Sequence, residues 1–309
     1  MPWTIGIDEA GYGPVLGPLT QVAAAACLPA GDPAGWSTLA PWVRRHAERD
    51  KTRHPIDDSK LVHSGPHGLK RLEAALAAFV GLRETTLGGW LGEVALPHVV
   101  TDLQGEAWFD AAEALPLHDA PPDLRPAVAG VGVELRVVAV KLVPAPVFNQ
   151  IVAGSGTKAT VLAIGLTGLL GAILGRLPGD DPVRVLCDKQ GGRNFYGPIL
   201  RAAFPGATVT CEAETAAESR YRVTGLAREL AVEFRPRADG ECVAVALASM
   251  AAKYLREVTM RQFNRHWQTH LAGLKATAGY PVDGERFYAE ILPLLPGLNL
   301  TPDQVRRSR

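Results

Sequence analysis

The chain is poor in cysteine: Cys27, Cys187, Cys211 and Cys242 are its only four in 309 residues, and no two stand in a CxxC or Cys/His ligand spacing. That excludes a zinc ribbon or a disulfide-framed fold and predicts a reducing compartment, the cytoplasm. Net charge is missing too, since 32 basic and 32 acidic residues balance. No global field therefore draws in a polyanion, and any such site must be a local patch. No basic stretch followed by an apolar core precedes the first carboxylate, which predicts that there is no signal peptide. Ala159 to Leu174 is nearly all apolar but stops short of the ~20 residues that cross a bilayer. With two threonines inside it, and despite a GxxxG at Gly171 and Gly175, it reads as a helix buried against a sheet, not a membrane span.

What the chain has is apolar material, 47% of its residues, enough for one elaborated domain or two ordinary ones. The first sixty residues read as strand, turn and second strand (Thr20 to Leu28), an antiparallel opening. Leu69 to Phe79 has helical spacing, with Leu69, Leu72, Leu76 and Phe79 on one face. From about 81 to 136 the pattern dissolves into proline-rich and glycine-rich stretches and reads as an insertion. A strand at Leu135 to Val143, the apolar helix and a strand at Val183 to Asp188 then imply a parallel crossover. Two further β-like runs, Ala207 to Cys211 and Leu230 to Phe234, flank an acidic connection. Leu247 to His266 is a strong helix, with Leu247, Ala251, Leu255 and Val258 on one face and Lys253, Glu257, Arg261 and Arg265 on another. From Ala251 onward nine basic residues face five acidic ones, so the balance tilts toward cations at the end of the chain.

Chemistry is concentrated in Ile5-Gly6-Ile7-Asp8-Glu9-Ala10-Gly11-Tyr12-Gly13-Pro14, where two adjacent carboxylates end an apolar run and a glycine-bracketed turn follows. Glycines let backbone N–H groups approach a ligand such as a phosphate. A strand running into a solvated acidic loop is the other reading of the same residues. Asp188 ends a strand as well, and Asp239 lies in the loop before the strong helix. Strand ends of an open α/β sheet line a common crevice, so such carboxylates can converge. Gathered carboxylates repel one another unless divalent cations hold them, and oxygen-only ligands favour Mg²⁺ or Mn²⁺. Two ions about 4 Å apart suit phosphoryl chemistry.

Several of these motifs, in order, resemble type 2 ribonuclease H, the ribonuclease HII and HIII group that cuts the RNA strand of RNA/DNA hybrids. The opening IGIDEAGYGPVLGP is similar to the family's DExGxG signature, and Asp57-Asp58-Ser59-Lys60-Leu61 to its DSK motif. Asn149 with Thr157 to Ala163, and then Val185 to Asp188, resemble the approach to the next catalytic strand and that strand. Asp239 followed by Ala246 to Lys253 resembles the acid and AASxxAK helix, and Gly279-Tyr280-Pro281 the C-terminal tyrosine element.

The resemblance implies an α/β ribonuclease H-like fold: a mixed five-stranded sheet with helices on both faces, plus a helical C-terminal part. Its organisation would be a catalytic domain over 1–270, with insertions at about 81–136 and 189–237, and a C-terminal extension over 271–309. Asp8, Glu9, Asp188 and Asp239 would be the catalytic residues and hold Mg²⁺ or Mn²⁺, with Glu241 the rival to Asp239. Gly11, Tyr12, Gly13, Ser59, Lys60, Lys253 and Tyr280 would bind substrate, and Lys158 is a further candidate for phosphate. The implied partner is an RNA/DNA hybrid or a DNA duplex with embedded ribonucleotides, the implied state a monomer. A same-fold nuclease with a redirected substrate and a non-catalytic hybrid-binding protein are the alternatives. One departure bears on substrate choice: Tyr12 stands where bacterial HII members carry arginine, so a cation is lost at the substrate-reading turn.

Overall fold

The computed structural model describes residues 2–190 and 192–308. Its centre is a sheet of β1 (Trp3–Ala10), β2 (Leu19–Cys27), β3 (Glu134–Val143), β4 (Val183–Asp188), β5 (Thr208–Glu214), β6 (Ser219–Thr224) and β7 (Leu230–Arg235), in the spatial order β3-β2-β1-β4-β7-β6-β5. β2 runs antiparallel to both β1 and β3, whereas β4 lies parallel to β1 and β7 parallel to β4. These five make the expected mixed sheet. The count of five is corrected to seven by an antiparallel hairpin, β5 and β6, added beyond β7. The span 189–237 is thus no single insertion, because its last strand is an inner member of the sheet.

Four helices matter to the site: α1 (Gly68–Phe79), α2 (Lys158–Arg176), α3 (Val243–His270) and α4 (Pro281–Ile291). α3 packs on β1 and β2 so closely that a Cβ at Gly6 would fall 2.2 Å from the Val245 backbone nitrogen. Small residues permit this approach: Ala24 sits opposite Gly6 in the neighbouring strand, and the helix supplies Ala244, Ala246 and Ala248. Every residue from Val243 to Ala252 is buried, so this half of α3 has no solvent face. α2 covers the opposite side, where Gly165 leaves room for Gln21 and the Gln21 Nε2 donates to Leu162 O at 3.2 Å. Gln21 lies three residues from Ala24 on β2, and odd offsets point to opposite faces. The helix that the sequence assigns to a buried position is therefore packed against β2 and β3.

The span 81–136 is ordered. Short helices at Leu87–Val94, Val99–Gln104 and Arg125–Ala129 pack beside β3, with Leu96 N donating to Val140 O at 2.8 Å. Arg176 ties α2 to this layer by donating to Val94 O, Ala95 O and Val138 O. The segment covers what would be an open sheet edge, a surface prone to unwanted pairing.

Candidate active site

Parallel pairing in register brings the first three acids together. Ile7 sits opposite Cys187, so Asp8 and Glu9 at the end of β1 lie next to Asp188 at the end of β4. Strand alternation sends Asp8 to the α3 face with Gly6 and Glu9 to the α2 face with Gln21. Ser249 of α3, 3.0 Å from Ser59 Oγ, hydrogen-bonds Asp8. Gln190 Nε2 donates to Glu9 Oε2 at 3.4 Å. Asp188 Oδ1 accepts from Ala238 N at 3.3 Å, which fastens β4 to the single turn Ala238–Gly240 carrying Asp239.

The proton affinities report this crowding. Burial and then Glu9 push Asp8 well above its usual value, and Asp188 adds to the rise. Burial and the Asp188 charge push Glu9 up to about 7. Asp239 is raised by burial, by Asp58 and by Asp188. Asp8, Glu9 and Asp188 thus form one electrostatic group, with Asp239 joined to it through Asp188. Glu241 points elsewhere, accepting from Arg235 Nη1 at 3.0 Å.

A cation meets its donor set here, and the fit is partial. Oxygen-only carboxylates that raise one another's proton affinity are the donors hard divalent ions use. Among the described residues, however, no three His, Cys, Asp or Glu side chains already stand as a closed cage.

A cleft of about 210 Å³ opens beside these acids, lined by Glu9, the turn from Ala10 to Pro14, Ser59, Lys60, Lys253, Arg256 and Tyr280. The turn is shaped from beneath. Gly11 has φ +87°, and a Cβ there would meet Arg256 Cδ at 2.8 Å, so glycine is required twice over. Gly13 has neither constraint: its φ is not positive and a Cβ would meet nothing within 4 Å. A side chain at Gly13 would meet no neighbouring atom, and Gly13 lines the cleft.

Lys60 is exposed at the rim, and its backbone N–H is held by Asp58 Oδ1 at 2.8 Å. Asp57, before it, is structural: burial would raise it, but Arg45, the His46 N–H and the Asp58 N–H hold it low. Ser59 is buried, with its hydroxyl engaged by Ser249. Lys253 lines the cleft but donates to Glu257 Oε1 at 2.6 Å, so part of its charge is already balanced. Tyr280 is 48% exposed, and Gly279 O accepts from Val15 N at 2.8 Å, stapling the tyrosine to the turn. Tyr12 carries the Lys158 ammonium 4.9 Å from its ring centroid. Asn149 plays no part in the cleft: its amide donates to Asp303 O and Arg306 O and accepts from Ser308.

Three supporting residues escaped the sequence reading. Arg256 is buried and donates to Pro18 O at 2.7 Å, Ala278 O at 2.8 Å and Leu16 O at 3.4 Å. Arg307, also buried, donates to Pro14 O and stacks over Phe148 at 5.1 Å. Gln190 is the third. Nothing in the local sequence marks these three side chains as buried or as turned toward the site.

No protein-family model matches the chain, and no curated protein sequence matches it significantly. Solved structures match over nearly all of it. The chain is similar to ribonucleases HII and HIII. The Mn²⁺ complex of Bst-RNase HIII shares 17% identity over 99% of this chain and 66% of that one, just under two thirds, with a TM-score of 0.48. RNase HII from Archaeoglobus fulgidus, solved with PCNA, shares 16% over 99% and 94%, at 0.41. Ribonuclease H2 from Pyrococcus horikoshii OT3 shares 14% over 98% and 92%, at 0.44. Likeness at this level leaves the chemistry to the cleft itself.

Proposed function

We propose that the protein is a metal-dependent endoribonuclease that hydrolyses the RNA strand of RNA/DNA hybrids to 5′-phosphate and 3′-hydroxyl products. The observation that carries this reading is the group Asp8, Glu9 and Asp188 on adjoining strand ends, with raised proton affinities at Asp8 and Glu9, opening onto a glycine-lined cleft rimmed by lysine. A protein that only bound nucleic acid would gain nothing from carboxylates that repel both one another and the phosphates.

Asp8, Glu9, Asp188 and Asp239 would hold Mg²⁺ or Mn²⁺. Such ions, when bound, offset the carboxylate charge, acidify water and stabilise the leaving oxygen. Lys60 and the unbalanced part of Lys253 neutralise phosphate oxygens. The N–H groups of the turn from Gly11 to Gly13, which lines the cleft, would read a ribose 2′-hydroxyl, the group that distinguishes RNA from DNA. Tyr280 offers a half-exposed ring for a sugar or base. Ser249 orients Asp8, and Gln190 orients Glu9.

A second reading has one observation in its favour. Asp58, an acid outside the proposed ligand set, raises Asp239 ahead of Asp188, and in a hybrid-binding protein without turnover this fourth acid would serve no cation. One assay separates the readings. Protein with Mg²⁺ or Mn²⁺ is offered a uniform hybrid, a duplex with one embedded ribonucleotide and plain DNA. Hybrid cleavage is expected, falling more than about 100-fold in Asp8→Asn and Asp188→Asn, beyond the loss typical of a metal site's outer partners. Plain DNA cut as readily as hybrid indicates a redirected nuclease, and tight binding without cutting indicates the binding protein.

A further inference from the structure

A cavity of about 80 Å³ lies where three parts of the chain meet: Glu106 and Trp108 come from the inserted layer, Phe263, His266 and Trp267 from α3, and Leu300 from the C-terminal segment. It shares no lining residue with the acidic cleft. Roughly 10–15 Å³ of such space holds one water, so this cavity admits a small organic molecule. Ala107 and Gln304 also line it and are exposed, which gives it a mouth.

The lining is aromatic on several sides and acidic on one. Trp108 and Phe263 meet at 71° with ring centroids 6.0 Å apart, and Phe263 and Trp267 at 61° and 6.2 Å, so the rings stand as steep walls and none lies flat on the next. Glu106 is half-buried beside them. Its Oε2 accepts from Trp108 Nε1 at 2.7 Å, while its Oε1 accepts no hydrogen bond among the described residues and is not sealed from solvent. No basic side chain balances it: burial and the Trp108 indole are what set its proton affinity, and His266, which burial and His270 hold low, makes no ion pair with it among the described residues. An anion so placed either takes up a proton or takes in a cation. The surroundings select among cations. A hard metal ion seeks about six oxygens and finds a single carboxylate in this lining. A primary ammonium has three N–H donors to satisfy, yet Gln304 Oε1 already accepts from Thr301 N at 2.7 Å and from Thr301 Oγ1 at 3.1 Å. A methylated ammonium needs no such acceptors, and its methyl groups pack on rings and on Leu300 while its charge meets the carboxylate.

We propose that Glu106, Trp108, Phe263 and Trp267 form a binding site for a small, freely diffusing methylated ammonium ion, held between the Glu106 carboxylate and the aromatic rings. The site goes beyond the ribonuclease reading and stands independently of what the acidic cleft cuts. Its occupant touches the inserted layer, α3 and the C-terminal segment at once, so binding stabilises the joint between them.

The test is a titration of the intact chain at pH 8, where Glu106 is ionised, with tetramethylammonium chloride as the probe and sodium chloride as the ionic-strength control. Tryptophan fluorescence reads the binding, and the melting temperature reads the joint. A saturable fluorescence change is expected with tetramethylammonium and not with sodium, together with a higher melting temperature. Glu106→Gln keeps the acceptor for Trp108 and removes the charge, so the half-saturating concentration should rise roughly tenfold. tert-Butyl alcohol, similar in shape but uncharged, should bind the wild-type protein at least about tenfold more weakly than tetramethylammonium. A response to tetramethylammonium no larger than that to sodium overturns the site. So does equal half-saturation in Glu106→Gln, or equal binding of the alcohol, either of which would make the cavity an apolar gap that does not select for charge.

Discussion

Single residues carry opposite duties in this site. Arg256 is a cation used as scaffolding: burial lowers it to about 10, so it stays charged at neutral pH while donating to three backbone carbonyls. Those carbonyls belong to the segments after the turn and before Tyr280. Replacing Arg256 by methionine keeps the volume and strands them, so stability should fall by about 3 kcal/mol, the range for buried polar groups left unpaired. Denaturant midpoints measure it, and a loss under about 1 kcal/mol would contradict the role. The acids make a different prediction. With Glu9 at about 7, protons compete with a cation at pH 6 and leave at pH 8. Millimolar Mn²⁺ should therefore raise the melting temperature more at pH 8 than at pH 6, and Asp188→Asn should abolish the difference. An equal shift in the variant would place the ion elsewhere.

At the scale of elements, β1 and its turn show two uses of glycine. Gly6 holds the sheet against α3, and an alanine there drives a Cβ into helix backbone at 2.2 Å. Gly6→Ala should cost about 3 kcal/mol or prevent folding. Gly13→Ala should leave stability within about 0.5 kcal/mol of wild type, because its Cβ meets nothing, yet lower cleavage by obstructing the cleft. Stability loss at Gly13 equal to that at Gly6 would remove the distinction. The sequence made β1 to β4, α2 and the approximate span of α3 legible, since each has a clean period and bounded ends. β7 reads as a β-like run within an insertion, because nothing local says that this strand lies between β4 and the β6–β5 hairpin that precedes it in the chain. Arg256 lies one residue before Glu257 on a helix whose charged residues otherwise recur every fourth position, so periodicity gives no sign that it turns inward. Asp8, Glu9 and Asp188 are readable as strand ends; the alternation that turns Asp8 toward Ser249 of α3 and Glu9 toward Gln190 emerges only with the register.

At the scale of the whole molecule, segments that local pattern separates are packed into one core. Glu106, from the inserted layer, meets Trp108, Phe263 and Trp267 around a cavity of about 80 Å³ that Leu300 and Val305 from the C-terminal segment also line. Its carboxyl is pushed up to about 7 by burial, only partly offset by the Trp108 indole N–H at 2.7 Å. The native state thus holds a proton on Glu106 that the unfolded chain releases near 4.5. Where the native state binds more protons, stability declines with rising pH. The contribution is whole below about pH 4.5 and is lost as pH rises to 7, a decline on the order of 2 kcal/mol after allowing for partial exposure. Glu106→Gln keeps the hydrogen-bond acceptor and removes the titration, so it should flatten this part of the stability curve and leave the variant more stable than wild type at pH 8. Urea denaturation from pH 5 to pH 8 measures both curves. Parallel curves would mean that Glu106 is ionised in the folded protein, and that the joint between the inserted layer, α3 and the C-terminal segment is wetter than its packing implies.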